Sequence, residues 1–381
     1  MLGSGEYART WRIVAQVVPF AVVAAALTAV VDPRRNDFFQ FWYAGHLVVS
    51  GASPYDQPAW TGASAYGAMA ASVVRHCPTP DAPACLWLYP PWTAWLFAPL
   101  GLLPPPAGIV GVEIVSILSL LAGIGAATLL FVPGAKMRAV AAPVFLASAP
   151  AVRDAATGHF DGFMLVGVVL LAIALSRARA VPLAAAVVLL SLKPHLTLVL
   201  AVVVAGMLVR SRSWRLLGAA VATCAVLLSV GATLDRRWLA ATVGDAAAKV
   251  ATSGNSSPLA SGALWEIPLV LASAALAAIA VRRSPLFERS ATIVAAATAV
   301  SLAAAPYLQS YDNVLLVPSF AVTAARRGPT GYAALAALLV GGWIVYVLEL
   351  SGRGGYAPVL VLVALGALAA RTRHQAALDR P

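Results

Sequence analysis

Charge is scarce in this chain: 11% of its 381 residues are charged, against 61% that are hydrophobic. A soluble protein carries roughly 25% charged residues, so too few are present to cover a water-soluble globule of this length. The apolar surface must face lipid. Acidic residues are scarcer still, 15 against 26 basic, which leaves a net charge of +11. That excess does not read as a nucleic-acid surface. The basic residues come as small groups between apolar runs (Lys136/Arg138, Arg177/Arg179, Arg210/Arg212/Arg215, Arg282/Arg283, Arg326/Arg327, Arg371/Arg373), without the aromatic interleaving or single patch that nucleic acid requires. Cysteine is rare as well, with three residues. No strong metal-ligand set is visible, so the expected chemistry needs neither metal nor cofactor.

Long apolar stretches are what the chain has instead. They fall at about 13–31, 107–132, 139–150, 161–176, 181–192, 195–209, 214–234, 263–281, 290–305, 313–325, 331–348 and 357–370. The first is long enough to span a bilayer. The DPRRND that follows it is no small-residue cleavage site, so a retained signal-anchor helix is expected. Several runs are shorter than the roughly 20 residues of a perpendicular span. Those at 139–150, 181–192 and 313–325 suit broken or re-entrant helices. The expectation is an all-α, multi-pass protein of the cell membrane, a single domain over 1–381 with ten to twelve spans.

With the N-terminus cytoplasmic and each run crossing once, seventeen of the 26 basic residues fall on the cytoplasmic side, as the positive-inside rule requires. Of the 15 acids, Glu6, Glu288 and Asp379 alone join them. The connections with unusual polar content then all lie outside: 32–91, 151–160, Lys193-Pro194-His195, 235–262, 306–312 and 349–356. A site built from several loops would face the periplasm or cell exterior.

The long first outer loop, 32–91, has structure of its own. Asp37–Val49 is aromatic-rich with interspersed polar residues, which suits a helix in the membrane interface. SGASPYD is turn chemistry, and Trp60–Val74 reads as a second surface helix. LYPPWTAWLFAPLGLLPPP offers Trp92 and Trp95 as interfacial aromatics on a juxtamembrane helix bracketed by prolines. Cys77 and Cys85 flank PTPDAPA. In an oxidising compartment they suit a disulfide; two unpaired thiols or a metal site are the alternatives. Cys224, inside an apolar run, reads as a small apolar residue.

Four polar clusters could carry chemistry. Asp37 opens the aromatic helix, where it serves as an ordinary N-cap or as an ionised general base. TGHFDGF places His159 and Asp161 at the outer start of a span. Lys193 in Lys193-Pro194-His195 should face a cavity or a partner, or else snorkel to the headgroups. PYLQSYDN gathers Tyr307, Gln309, Tyr311 and Asp312 at another outer helix end. Glu113 is the one acid deep in an apolar run. Polar groups gathered at one surface, rather than at the midplane, favour interfacial chemistry over transport.

These stretches together resemble membrane glycosyltransferases of the GT-C class, specifically glycosyltransferase family 87, the polyprenyl-phosphate-mannose-dependent mannosyltransferase group. The resemblance rests on NDFFQFWYAGHLVVSGASPYD, LYPPWTAWLFAPLGLLP, GHFDGFMLVGVVLLAIAL, LLSLKPHLTLVL and APYLQSYDNVLLVP, in that order over about residues 30–320. It implies juxtamembrane helices in a long first extracytoplasmic loop and an acid near its start acting as general base; the matching position is Asp37. It implies a polyprenyl-phosphate sugar as donor, a hexose (by the family's name, mannose), and a glycan or glycolipid as acceptor. For the leaving phosphate, Lys193 with His195 and His159 are the matching candidates, and Arg34 and Arg35 are further cations nearby. Tyr55, Gln309, Tyr311 and Asp312 are the candidate substrate-binding residues. The sequence departs from the family at the late outer helix start, where many members carry a His and this chain has QSYDN. A lipid flippase or transporter is the alternative function.

Overall fold

The computed structural model describes residues 37–70, 87, 89–242, 266–283, 289–305, 308–325, 329–350 and 357–378. Among them there are helices and connecting turns and no strand. The chain begins with α1 (Phe38–Val49), a short α2 (Gln57–Thr61) and a 3-10 segment, Gly62–Ala70. Next come α3 (Pro91–Gly101), α4 (Pro105–Phe131), α5 (Ala135–Ala147), α6 (Ala149–Thr157), α7 (Asp161–Arg177) and α8 (Ala180–Leu190). A 3-10 turn, Pro194–Leu196, leads into α9 (Leu198–Arg210), α10 (Trp214–Leu234), α11 (Glu266–Arg283) and α12 (Arg289–Ala303). A second such turn, Ser310–Leu316, leads into α13 (Val317–Ala324), α14 (Pro329–Leu350) and α15 (Ala357–Leu378).

Three of the described helices are long and apolar enough to cross a membrane: Pro105–Phe131, Trp214–Leu234 and Gly331–Leu348. α5 and α6 pass the same test jointly but bend by 51° at Ser148, so the run expected at 139–150 is indeed broken. Shorter apolar helices fill most of the remaining runs. Lys193-Pro194 separates two of them, because Pro cannot donate to a helix ladder and clashes with the preceding turn. This is an all-α membrane protein. Its outward residues agree: Val221, Val226, Leu228 and Val230 on α10, and Val340, Ile344 and Val347 on α14, are exposed apolar side chains. Stripes of that kind on consecutive turns need lipid, not water, as their solvent. Cys224 is exposed on the same helix.

α1 departs from the expectation of an interfacial helix. Phe38, Phe39, Phe41, Trp42, Tyr43, Ala44 and Leu47 are all buried, so α1 has little surface to lay on a membrane. It runs along α3 and against α4. The physical reason is its aromatic density: Phe41 alone meets Trp87, Tyr89, Phe97 and Phe160 with ring centroids 5.0–5.8 Å apart. Each such pair contributes about 0.5–1.5 kcal/mol beyond its burial. Close approach of α1 to α3 needs two glycines, since a Cβ on Gly45 would strike the Phe97 carbonyl and one on Gly101 the His46 amide. The second surface helix is shorter than expected: α2 ends at Thr61, and the 3-10 segment is interrupted at Gly67. α3 confirms the Pro-bracketed helix after Tyr89, with Trp95 exposed and Trp92 packed on Trp238. The proposed Cys77–Cys85 disulfide, Arg34, Arg35 and Tyr307 lie outside the described residues.

One junction places the site. α6 ends at Gly158 with φ +81°, a left-handed conformation that glycine adopts without strain. A Cβ there would also collide with the buried Phe38 ring. This bare position lets the start of α1 dock on the α6–α7 corner, where the Asp37 amide donates to the Thr157 carbonyl at 2.7 Å. Gly158→Ala is expected to lose about 1–3 kcal/mol through the strained φ and to push Asp37 off the corner. A thermal unfolding curve in detergent would check the first effect and a transfer assay the second.

Candidate active site

Four segments far apart in sequence meet at the α6–α7 corner: the start of α1, residues 153–161, the turn at Lys193 and the 310–316 turn. That last turn packs on both α6 and α7. Asp37 stands at the N-cap position of α1, yet its side chain makes no capping hydrogen bond. Its Oδ2 instead receives the His159 Nε2–H at 3.1 Å, with the Asp37 side chain 28% exposed. The simple capping role is therefore not the one the side chain plays.

His159 is held on every side. Its amide donates to the Asp154 carbonyl at 3.2 Å, and its carbonyl accepts from the Ser116 hydroxyl. Its ring stacks on Tyr311 with centroids 3.7 Å apart and meets the edge of Phe41. Burial, then the Lys193 ammonium, hold this imidazole below its ordinary pKa, and the Asp37 carboxylate does not reverse the shift. The ring is therefore neutral at neutral pH, with its proton on Nε2 and a buried Nδ1 that has no hydrogen-bond partner among the described residues.

Lys193 is buried at 3% exposure and lies 2.6 Å from Asp161 Oδ1 and 2.8 Å from Asp312 Oδ1. Its ammonium also sits over the Tyr311 ring, 4.9 Å from the centroid, and the Phe160 ring, 5.5 Å away. Burial pulls the Lys193 pKa down, but Asp161 and Asp312 outweigh it and hold the amine charged. Conversely, burial raises Asp312, yet Lys193 and the Gln309 amide leave it below the ordinary carboxylate range. Asp312 Oδ2 accepts from the Gln309 backbone N–H at 2.7 Å, so it caps its own turn while its other oxygen binds Lys193. Snorkelling is thus replaced by a buried cluster in which Lys193 ties three segments together.

The remaining expected residues are placed differently. His195 is half-buried on the 3-10 turn after Lys193. Tyr55 is placed elsewhere: its hydroxyl donates to the Tyr89 carbonyl, and it lines a cavity at the other end of α1. Burial, then the Asp235 carboxylate, push that hydroxyl above its ordinary pKa, so it stays a donor.

A family model described as glycosyltransferase family 87 matches residues 87–308. The chain belongs to glycosyltransferase family 87. No curated protein and no solved structure matches it. The matched segment holds His159, Asp161 and Lys193, whereas Asp37 and the Gln309–Asp312 stretch flank it. Placement of those flanking residues beside His159 therefore comes from the fold, which stacks Tyr311 on His159 and bonds Asp37 to the same ring.

Two further residues of this corner were not singled out in the sequence. Arg153 lies on α6 with its guanidinium over two rings, 5.7 Å from the Tyr311 centroid and 5.2 Å from that of Tyr346. Asp154, the next residue, is fully buried, and burial pushes its carboxyl pKa up to about 7. The available signal was an adjacent Arg-Asp pair inside the otherwise apolar ASAPAVRDAATG stretch. A charged pair there must face protein rather than lipid.

Proposed function

We propose that this glycosyltransferase moves a hexose, mannose in the first instance, from a polyprenyl-phosphate carrier to a glycan or glycolipid acceptor on the extracytoplasmic side of the membrane. The observation that carries the proposal is the Asp37 carboxylate, partly exposed and held by the neutral His159 imidazole at 3.1 Å. In this reading Asp37 takes the proton of the acceptor hydroxyl as that oxygen attacks the anomeric carbon. The bond from that carbon to the phosphate oxygen breaks, and polyprenyl phosphate leaves with the electron pair. The sugar inverts, passing through an oxocarbenium-like state. No cofactor is needed, because the phosphate is already a competent leaving group.

His159 commits its Nε2–H to Asp37 and Lys193 its charge to two carboxylates. Both therefore organise the site in this reading, and the leaving phosphate is met by Arg153, which α6 carries to the Tyr311 ring that stacks on His159. An Arg offers a planar fork of donors suited to phosphate oxygens. The extracytoplasmic assignment is supported by convergence. Asp37, Arg153, His159, Lys193 and Asp312, all from connections that charge counting places outside, meet at one corner. Tyr346, beside the 349–356 connection, reaches the same corner through Arg153.

Purified protein incubated with a panel of polyprenyl-phosphate hexoses and membrane extract should yield a product heavier by one hexose. Sugar-lipid movement across vesicles with no new glycosidic bond would overturn the reading in favour of a flippase. A second expectation concerns pH. Losing the His159 donor removes a hydrogen bond to the ionised form of Asp37, which raises the carboxyl pKa. Because the base works ionised, the acidic limb of kcat/KM should move to higher pH in His159→Phe. An unshifted limb would remove His159 as the positioning residue.

A further inference from the structure

The far end of α1 carries a cavity of about 240 Å³ that the transfer chemistry at Asp37 does not use. Its walls include Val48, Tyr55, Trp95, Ser53, Leu234 and Asp235. The walls come from elements distant in sequence that are bonded to one another. The Ser53 hydroxyl donates to Asp235 Oδ2, 182 positions along the chain, and the Arg237 amide donates to Asp235 Oδ1 at 2.9 Å. Nearby, Trp92 on α3 meets Trp238 just past α10 edge-on, with centroids 5.6 Å apart. Tyr55 is fixed by its bond to the Tyr89 carbonyl. The cavity is therefore a built feature of the α1–α3–α10 junction.

Its chemistry is selective. Trp95 is 47% exposed, and an indole presents a flat apolar face with a polar edge. A carboxylate has about four lone-pair sites, and the two bonds to Asp235 leave others to accept from a ligand's hydroxyls. A carboxylate in the wall opposes phosphate and other anions, and an all-apolar ligand would leave it desolvated. A neutral ring with one C–H face and several hydroxyls satisfies both walls, and that is the chemistry of a hexopyranose.

We infer that this cavity is a carbohydrate subsite, and that it holds a sugar of the acceptor some distance from the one that reacts. The second part rests on the proposed transferase reading. The donor sugar must sit at Asp37, and Val48 lies eleven positions further along, about 16 Å at 1.5 Å per residue. A ring bound beside Val48 therefore belongs to the other substrate. The site selects acceptors several sugars long, and it absorbs Tyr55 as a wall residue of the acceptor path.

Tryptophan fluorescence of the full-length protein in detergent, titrated with methyl α-mannopyranoside, methyl α-glucopyranoside and a linear mannotriose, tests the subsite. Saturable quenching by at least one of these sugars is expected. Trp95→Ala and Asp235→Asn should each weaken it about tenfold, and Asp37→Asn should leave it intact. Trp95 is a surface residue, so its replacement does not threaten the fold. No saturable signal, or wild-type affinity in both variants, would overturn the subsite. So would a signal produced by anionic phospholipid nanodiscs and not by sugars, which would mark a headgroup site instead. Sugar binding that depends on Trp95, in a protein that transfers no hexose, would keep the subsite and overturn the transferase reading. Transfer whose acceptor KM ignores Trp95→Ala would do the reverse.

Discussion

Asp37→Asn is expected to lower kcat for hexose transfer by about 10²–10⁴-fold, the range for loss of a positioned general base, while substrate binding is retained. Asn is nearly isosteric with Asp, and its side-chain oxygen can still accept the His159 Nε2–H that now reaches Asp37 Oδ2 at 3.1 Å. The helix start is also unaffected, because the Asp37 side chain caps nothing, and the backbone bond to Thr157 involves no side chain. What Asn cannot do is take a proton. Asp37→Glu makes a useful companion, since it keeps the base but moves it by one methylene. A displacement of about 1 Å can itself cost 10²-fold. Single-turnover kinetics with a polyprenyl-phosphate hexose would separate the chemical step from binding. Unimpaired turnover in Asp37→Asn would remove Asp37 as the base.

Lys193→Met is expected to act on the fold before it acts on catalysis. The ammonium is the shared partner of Asp161 and Asp312 at 2.6 and 2.8 Å, and all three residues are buried. Removing one member of a buried ion cluster leaves uncompensated charge and typically costs about 3–5 kcal/mol. That is enough to unfold many proteins of ordinary stability. The triple replacement Lys193→Met, Asp161→Asn, Asp312→Asn removes the charges together and should recover most of the loss. Thermal unfolding of the wild type and both variants checks this. If Lys193 served mainly to grip the donor phosphate, Lys193→Met would instead unfold at the wild-type temperature and lose donor affinity.

The sequence alone settled the class of molecule. Eleven per cent charge spread over long apolar runs leaves no aqueous fold available, and a helix is the element that satisfies its own backbone in lipid. It also marked the helix ends that matter, because Asp37, His159, Lys193 and Asp312 are polar residues stranded beside apolar runs, where an unpaired charge is costly. What it could not settle was who pairs with whom. A charge at a helix end is equally compatible with a cap, a headgroup contact or an ion pair, and only contacts between distant segments distinguish them.

The tertiary structure made those choices. It turned Asp37 from a cap into the partner of His159, and set Lys193 between Asp161 and Asp312. It drew α1 into an aromatic core where an interfacial helix was expected, and carried Tyr55 to a second cavity. Arg153 and Asp154 became visible only when the 51° bend between α5 and α6 turned that end of α6 toward the 310–316 turn. Local sequence fixes how each segment meets lipid, since burial depends on residue type. Pairing depends on close approaches such as that of Phe38 to Gly158, and those exist only once the helices have packed.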